Sequence, residues 1–288
     1  MGSEVMLGRP LGGPLGGGLG LRPAVGGGGS LPGALPVDVL LVGGGGSGEQ
    51  EVGSLSLGGP SGGGAGQVLQ VTLWLVMGSY PVVVGLGGRI APLEDPPVLA
   101  GGDTTFAGLR ALGGGNGATF DPGFGRRGAT TGASTGGQFR SSGRPFWGRA
   151  ITGFLGSQPG SGDSGNGPFN FGGAGGGAAG PGLNGGENIR ALGGPGVISS
   201  ISGVPVEYGR GGHGSLNNDT APTPSPGWGD GGGARGIALP GGVTVGRPGI
   251  LIISYETGTQ TWLGGDVTQV GNRTIHTLTA DGTLTRTA

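Results

Sequence analysis

The chain has 288 residues, of which 82 are glycine. Its 15 basic residues, all arginine, stand against 16 acidic ones, a near-neutral balance that excludes nucleic-acid binding by bulk electrostatics. Cysteine is absent, which excludes disulfides, thiolate metal sites and thiol nucleophiles.

Residues 1–36 mix Gly, Leu and Pro too densely for a helix and read as an extended N-terminal arm that lies on a partner. Met1–Met6 carries no basic or compact apolar region, so no secretory signal is expected. No stretch approaches the ~20 apolar residues of a membrane-spanning helix, and membrane insertion is not expected. Val37–Val42 then predicts a buried strand running into Gly43–Gly46. Val68–Val76 predicts a longer strand, with Trp74 inside its apolar run and therefore expected in the core. Met77-Gly78-Ser79 reads as the turn of a hairpin that returns along Tyr80–Val84, with Pro81 tolerated at an edge. Thr105–Leu112 reads as a further short strand or pair of strands.

Residues 113–196 form a glycine-rich insert punctuated by Phe, Arg and Pro. Glycine permits extended chains to crowd together as in collagen, but no strict three-residue period runs here. Strand character returns at Val197–Gly203 and Val204–Tyr208, and again at Ile250–Tyr255. Thr274–Thr279 and Thr283–Thr287, joined by Ala280-Asp281-Gly282, read as a closing hairpin. No stretch has helical periodicity of useful length. The expected fold is all-β. A small antiparallel sheet or sandwich is built from 37–112 and 197–288 and carries long glycine-rich loops of polyglycine-II-like character. Residues 37–288 are treated as one glycine-rich β domain.

Several strings imitate catalytic motifs. Gly43–Gly48 fits a dinucleotide-binding fingerprint, but residues 49–62 are too rich in Gly, with Pro60 among them, to open the required helix. Gly132-Ala133-Ser134-Thr135-Gly136 fits a nucleophile elbow without its strand and helix, and Gly162-Asp163-Ser164-Gly165 resembles a protease segment without a matching base. His213 and His276 are expected to be structural or surface residues. Asp163, Asp219, Asp230 and Asp266 sit near glycines but lack a calcium-repeat pattern. The chain is therefore read as non-enzymatic, with no catalytic, metal or cofactor site. Phe146, Trp147 and Trp228, flanked by Pro and Gly, are the candidate contact residues, since aromatics anchor interfaces.

The order of these segments carries a resemblance. Val37–Gly46, Gly64–Val68, Gly78–Gly85 and Thr105–Gly115 come first, then Gly249–Tyr255 and Thr274–Leu284 near the end. Together they resemble the glycine-rich tail and tail-fibre proteins of tailed bacteriophages. The resemblance implies a structural protein of the virion, at a tail tip or fibre that contacts the host receptor. A capsid decoration or head-fibre protein docked through its N-terminal arm is the alternative. It also implies other virion proteins as partners, a homo-oligomer (a trimer), and a host surface glycan or protein as receptor. In 113–196 the polyglycine is broken by Arg, Phe and Pro, so a regular bundle of polyglycine helices is not expected there.

Overall fold

The computed structural model describes residues 32–48, 61–89, 100–121, 125–127, 131–137, 139–141, 144–146, 150–154, 172–184, 189–214, 227–234 and 245–287, with backbone alone at 119–121, 125–127, 139–141 and 144–146. Its strands in chain order are β1 (Leu35–Val42), β2 (Val68–Leu75), β3 (Gly78–Val83), β4 (Thr104–Phe106), β5 (Leu109–Ala111), β6 (Thr119–Asp121), β7 (Gly125–Arg127) and β8 (Phe139–Ser141). They continue as β9 (Arg144–Phe146), β10 (Val197–Ser199), β11 (Val206–Tyr208), β12 (Ile250–Glu256), β13 (Trp262–Leu263), β14 (Asp266–Val270), β15 (Arg273–Leu278) and β16 (Gly282–Arg286). The fold is all-β, as expected.

Two antiparallel five-stranded sheets form a sandwich. One has the order β14-β15-β12-β1-β2 and the other β13-β16-β3-β4-β5. Alternation along β1 explains the packing. Val37, Val39 and Leu41 point between the sheets, where they meet Leu251, Ile253 and Tyr255 of β12 and Val82, Phe106, Trp262 and Leu284 of the opposite sheet. Leu40 and Val42 point the other way, onto a second core with Ile250, Ile252, Ile275 and Tyr208. The β10–β11 hairpin lies over that second core. Strands β1 and β12 are thus buried on both faces, which is why they read as unbroken apolar runs. Each buried Leu or Ile there contributes about 1.5–3 kcal/mol.

Two predicted hairpins are corrected. Strand β2 pairs with β1, whereas β3 pairs with β16 and β4. Likewise β15 pairs with β12 and β14, whereas β16 pairs with β13 and β3. In both cases the chain crosses from one sheet to the other instead of folding back. At the second crossing the Asp281 carboxylate accepts a hydrogen bond from the Val84 amide (2.8 Å), so Asp281-Gly282 anchors a corner. The true partner of β15 is β14, which precedes it through a two-residue turn whose Gly271 has φ +59°.

Trp74 is also corrected: it is 60% exposed. Strand β2 is an edge, and its Leu69, Val71, Leu73 and Leu75 take the inward positions against the sandwich core. Strict alternation sends Gln70, Thr72 and Trp74 to the outer face.

The glycine-rich stretches are not loops. They form a bundle of extended, three-residue-per-turn segments that continues from one end of the sandwich. Residues 61–67 show the rule. Ser61, Gly64 and Gln67 donate their amides to Ala118, Gly115 and Leu112. Gly62 and Ala65 donate to Gly173 and Gly176, and Gly63 and Gly66 to Gly232 and Gly229, all at 2.7–3.3 Å. Every third residue serves the same neighbour, the signature of a left-handed threefold helix with no internal hydrogen bonds. Three further segments donate back: Gly43 and Gly46 of 43–48, Ser134 and Gly137 of 132–137, and Gly212 of 209–214. This segment is therefore ringed by hydrogen-bonded neighbours, and its backbone demand is met without a sheet.

Close packing dictates the composition. A Cβ at Gly45, Gly63 or Gly114 would fall under 3.0 Å from a neighbour's backbone oxygen. The bundle thus extends into 113–196, contrary to expectation. The reason is placement. Residues 132–137 and 172–177 hold only Gly, Ala, Ser and Thr, while Arg126, Arg127, Phe139, Arg140, Arg144 and Phe146 fall on the small hairpins β6–β7 and β8–β9 between packed segments.

Candidate functional site

The bundle has two ends. At the sandwich end, β1, β3 and β5 run out into 43–48, 84–88 and 112–118, while 61–67, 100–103 and 245–249 run into β2, β4 and β12. The junction is bolted by Thr104, whose buried hydroxyl donates to the Val42 carbonyl (2.7 Å) and accepts from the Gly85 amide (3.0 Å). At the opposite end several segment termini converge. The Ser61 hydroxyl lies 2.8 Å from the carbonyls of both Ala118 and Gly137 and shares its one hydrogen between them, the Ser61 amide also meets Ala118, and the Ala234 amide donates to the His213 carbonyl (2.8 Å). The bundle therefore holds chain segments that are far apart in sequence at one fixed end.

The candidate contact residues are scattered. Trp228 is half-buried and packs against the second core, at the entry to segment 229–234. Phe146 ends β9, described there by backbone alone, and Trp147 lies outside the described residues, as do residues 1–31 of the arm and Gly162–Gly165.

The imitation motifs resolve into scaffold. Gly43–Gly46 are buried in the bundle, each amide bound to a neighbouring carbonyl. Ser134 is buried too, its hydroxyl donating to Gly177 (2.9 Å) and accepting from the Phe154 amide (3.3 Å). His276 is a core histidine. Its Nδ1 lies 2.7 Å from the Gly264 carbonyl, which can only accept, so Nδ1 carries hydrogen and Nε2 is left to pair with the Tyr255 hydroxyl at 3.0 Å. Burial pushes the Tyr255 phenol up. His213 accepts the Gly193 amide at Nδ1 (2.8 Å), and burial with Arg190 and Arg210 nearby holds it below the usual histidine range. No cluster of three or more His, Asp or Glu suited to a metal occurs among the described residues.

One charged cluster lies inside the bundle. Asp230 is 2% exposed, its Oδ1 accepting the Arg210 amide (2.7 Å) while Oδ2 has no hydrogen-bond partner among the described residues. Burial pushes its carboxyl up to about 6 against the pull of Arg210. Glu207 feels burial as well, but hydrogen bonds from Arg210 and the Gly196 amide outweigh it and hold it below the carboxylate norm.

The other polar site is on the outer face of the sandwich. Beyond the tip of the β10–β11 hairpin, Asp38, Gln70, Ser200, Ile201, Ser254, Val270 and Arg273 line an open groove of about 330 Å³, near the lower bound for small-molecule sites. Asp38 accepts Thr72 Oγ1 (2.7 Å) and an ion pair from Arg273, whose Nε donates to Ser254 Oγ (3.0 Å). Sequence reasoning passed over this group. Its trace was Asp38, one charge inside a strand otherwise buried on both faces.

A β-sandwich continued by a hydrogen-bonded polyglycine-type bundle defines the class. The glycine-rich domain model matches residues 30–256, and the chain belongs to that family. No curated protein and no solved structure matches the chain.

Proposed function

We propose that this chain is a non-enzymatic structural protein of a phage virion, a tail-tip or tail-fibre component that contacts the host receptor. The observation that supports it is the bundle. A rod whose order comes from backbone hydrogen bonds is a rigid scaffold that places few demands on the sequences connecting its segments. Gly48, Ser61, Ala118, Gly137, Gly214 and Ala234 bring such connections toward the end away from the sandwich. The resemblance in segment order to glycine-rich tail proteins of phages supports the virion context. Other virion proteins and further copies of the chain, as a trimer, are the proposed partners.

The test is adsorption. Purified chain added to host cells is expected to lower phage attachment in a saturable manner, and labelled antibody is expected to mark a few copies at the tail in images of whole particles. Hundreds of copies on the shell, or no competition at saturating protein, would overturn the reading.

A further inference from the structure

We propose that the outer face of the β14-β15-β12-β1-β2 sheet binds a neutral saccharide, with Trp74 as the platform and Asp38, Gln70, Ser200 and Arg273 as the polar contacts. Four observations carry it.

First, register places these residues together. Asp38 lies opposite Thr72 on one side and Ser254 on the other, and Ser254 lies opposite Ile275, so the row crosses four strands on one face. Gln70, Thr72 and Trp74 alternate along β2 on that same face, so Trp74 stands about 7 Å along the strand from the residue that bonds Asp38. Second, Trp74 is 60% exposed although a large aromatic surface favours burial. Trp74 does not line the groove but stands beside it along β2, where an exposed indole suits the apolar C–H face of a pyranose ring in an oligosaccharide that reaches the groove.

Third, the polar groups are oriented but not exhausted. Asp38 and the Ser254 hydroxyl and carbonyl fix the Arg273 guanidinium through Nε and Nη2, while Nη1 makes no hydrogen bond among the described residues. The Gln70 amide and the Ser200 hydroxyl are likewise uncommitted among the described residues and exposed at the groove. Planar guanidinium, amide and carboxylate groups match vicinal hydroxyls, which both donate and accept. Fourth, the charge is balanced. Arg273 is paired with Asp38, so a ligand carboxylate would meet the Asp38 carboxylate as well as the arginine, whereas a neutral polyol would not. The apolar side of the groove, Ile201, Val270 and Ile275, gives one wall that needs no hydrogen bonds.

The biological source of the sugar, a host surface polysaccharide, rests on the receptor-contact reading, but the binding does not. Full-length protein labelled with ¹⁵N is titrated with neutral hexose oligosaccharides, with uronic-acid oligomers in parallel. Saturable shifts are expected at the Trp74 indole N–H, the Gln70 side-chain amide and the Arg273 Nε–H, for neutral sugars only. Trp74→Ala should weaken binding about tenfold or more, and Gln70→Ala about three- to tenfold, by loss of stacking area and one hydrogen bond. Both side chains are exposed, and unchanged spectra elsewhere will show that the variants fold. Absence of saturable shifts, stronger binding of uronic acids, or binding indifferent to both substitutions overturns the proposal. If wild-type protein competes for phage adsorption and Trp74→Ala competes equally well, the groove reading fails while the receptor-contact reading stands.

Discussion

At the residue scale, Asp230 makes stability depend on pH. A carboxyl buried with one oxygen unpartnered pays for its charge, and its folded-state value of about 6 lies above the ordinary 3.8. Between these values the folded state binds more proton than the unfolded chain. The contribution of Asp230 is therefore fully present below about pH 4 and is lost as pH rises through about 6, an effect of up to about 3 kcal/mol. Glu207 has the opposite sign and a different window, because its lowered value favours the folded state above the ordinary range and loses that advantage on acidification. Asp230→Asn keeps an acceptor for the Arg210 amide and carries no charge. Urea denaturation of this variant should show greater stability than wild type at pH 7 to 8, and a flatter profile from pH 4 to 6. A variant less stable than wild type at pH 8 would show that the Arg210 attraction outweighs desolvation.

At the element scale, what could be read from the chain divides by mechanism. The positions of β1, β2 and β12 were legible because burial on one or both faces leaves apolar runs, whereas β4–β5 was legible only as strand character in Thr105–Leu112, since its turn puts Ala107 at φ +47°, a backbone that Ala does not announce. Pairing was not. Met77-Gly78 and Asp281-Gly282 are good turn residues, yet each serves a crossing between sheets, a choice made by distant partners such as Val84 and Thr285. The bundle was legible only as composition, since its donors and acceptors are backbone groups and its register is recorded in no side chain. The groove was half-legible: Asp38 announces a partner but does not name Arg273. The same logic makes individual bundle glycines indispensable. Gly63 lies against the Gly46 and Ser47 carbonyls, and a methyl there must push rigid backbone apart. Gly63→Ala should cost about 4 kcal/mol or more, in the class of severe overpacking. Gly258 has φ +85° with nothing within 4 Å of an added Cβ, so Gly258→Ala should cost only about 1–2 kcal/mol from the left-handed backbone. Equal losses for the two variants, measured by denaturant midpoint, would mean that the lattice yields locally.

At the scale of the whole molecule, two forms of order are joined end to end, and they differ in thermodynamic character. The sandwich buries Leu, Ile, Val and aromatic side chains; the bundle buries chiefly peptide groups and satisfies them with one another. Exposing apolar surface on unfolding raises the heat capacity, while exposing polar surface lowers it. Ordinary domains show a ratio of heat-capacity change to enthalpy near 60 °C of about 0.02 per kelvin. This protein should fall clearly below that ratio, because the bundle adds hydrogen-bond enthalpy with little apolar exposure. The ratio is a sound measure here since it does not depend on how many residues join the transition. Six segments pass unbroken between strand and bundle, and the Thr104 hydroxyl of β4 bonds both Val42 of β1 and Gly85 of the bundle, so sandwich and bundle should melt together. Scanning calorimetry tests both points in one experiment. A single endotherm with a low ratio is expected, and with it a flatter stability curve than a sandwich of this size would have alone. Two separated endotherms would show that the junction transmits little, and a single one with the ordinary ratio would mean that the glycine lattice contributes far less enthalpy than its hydrogen bonds imply.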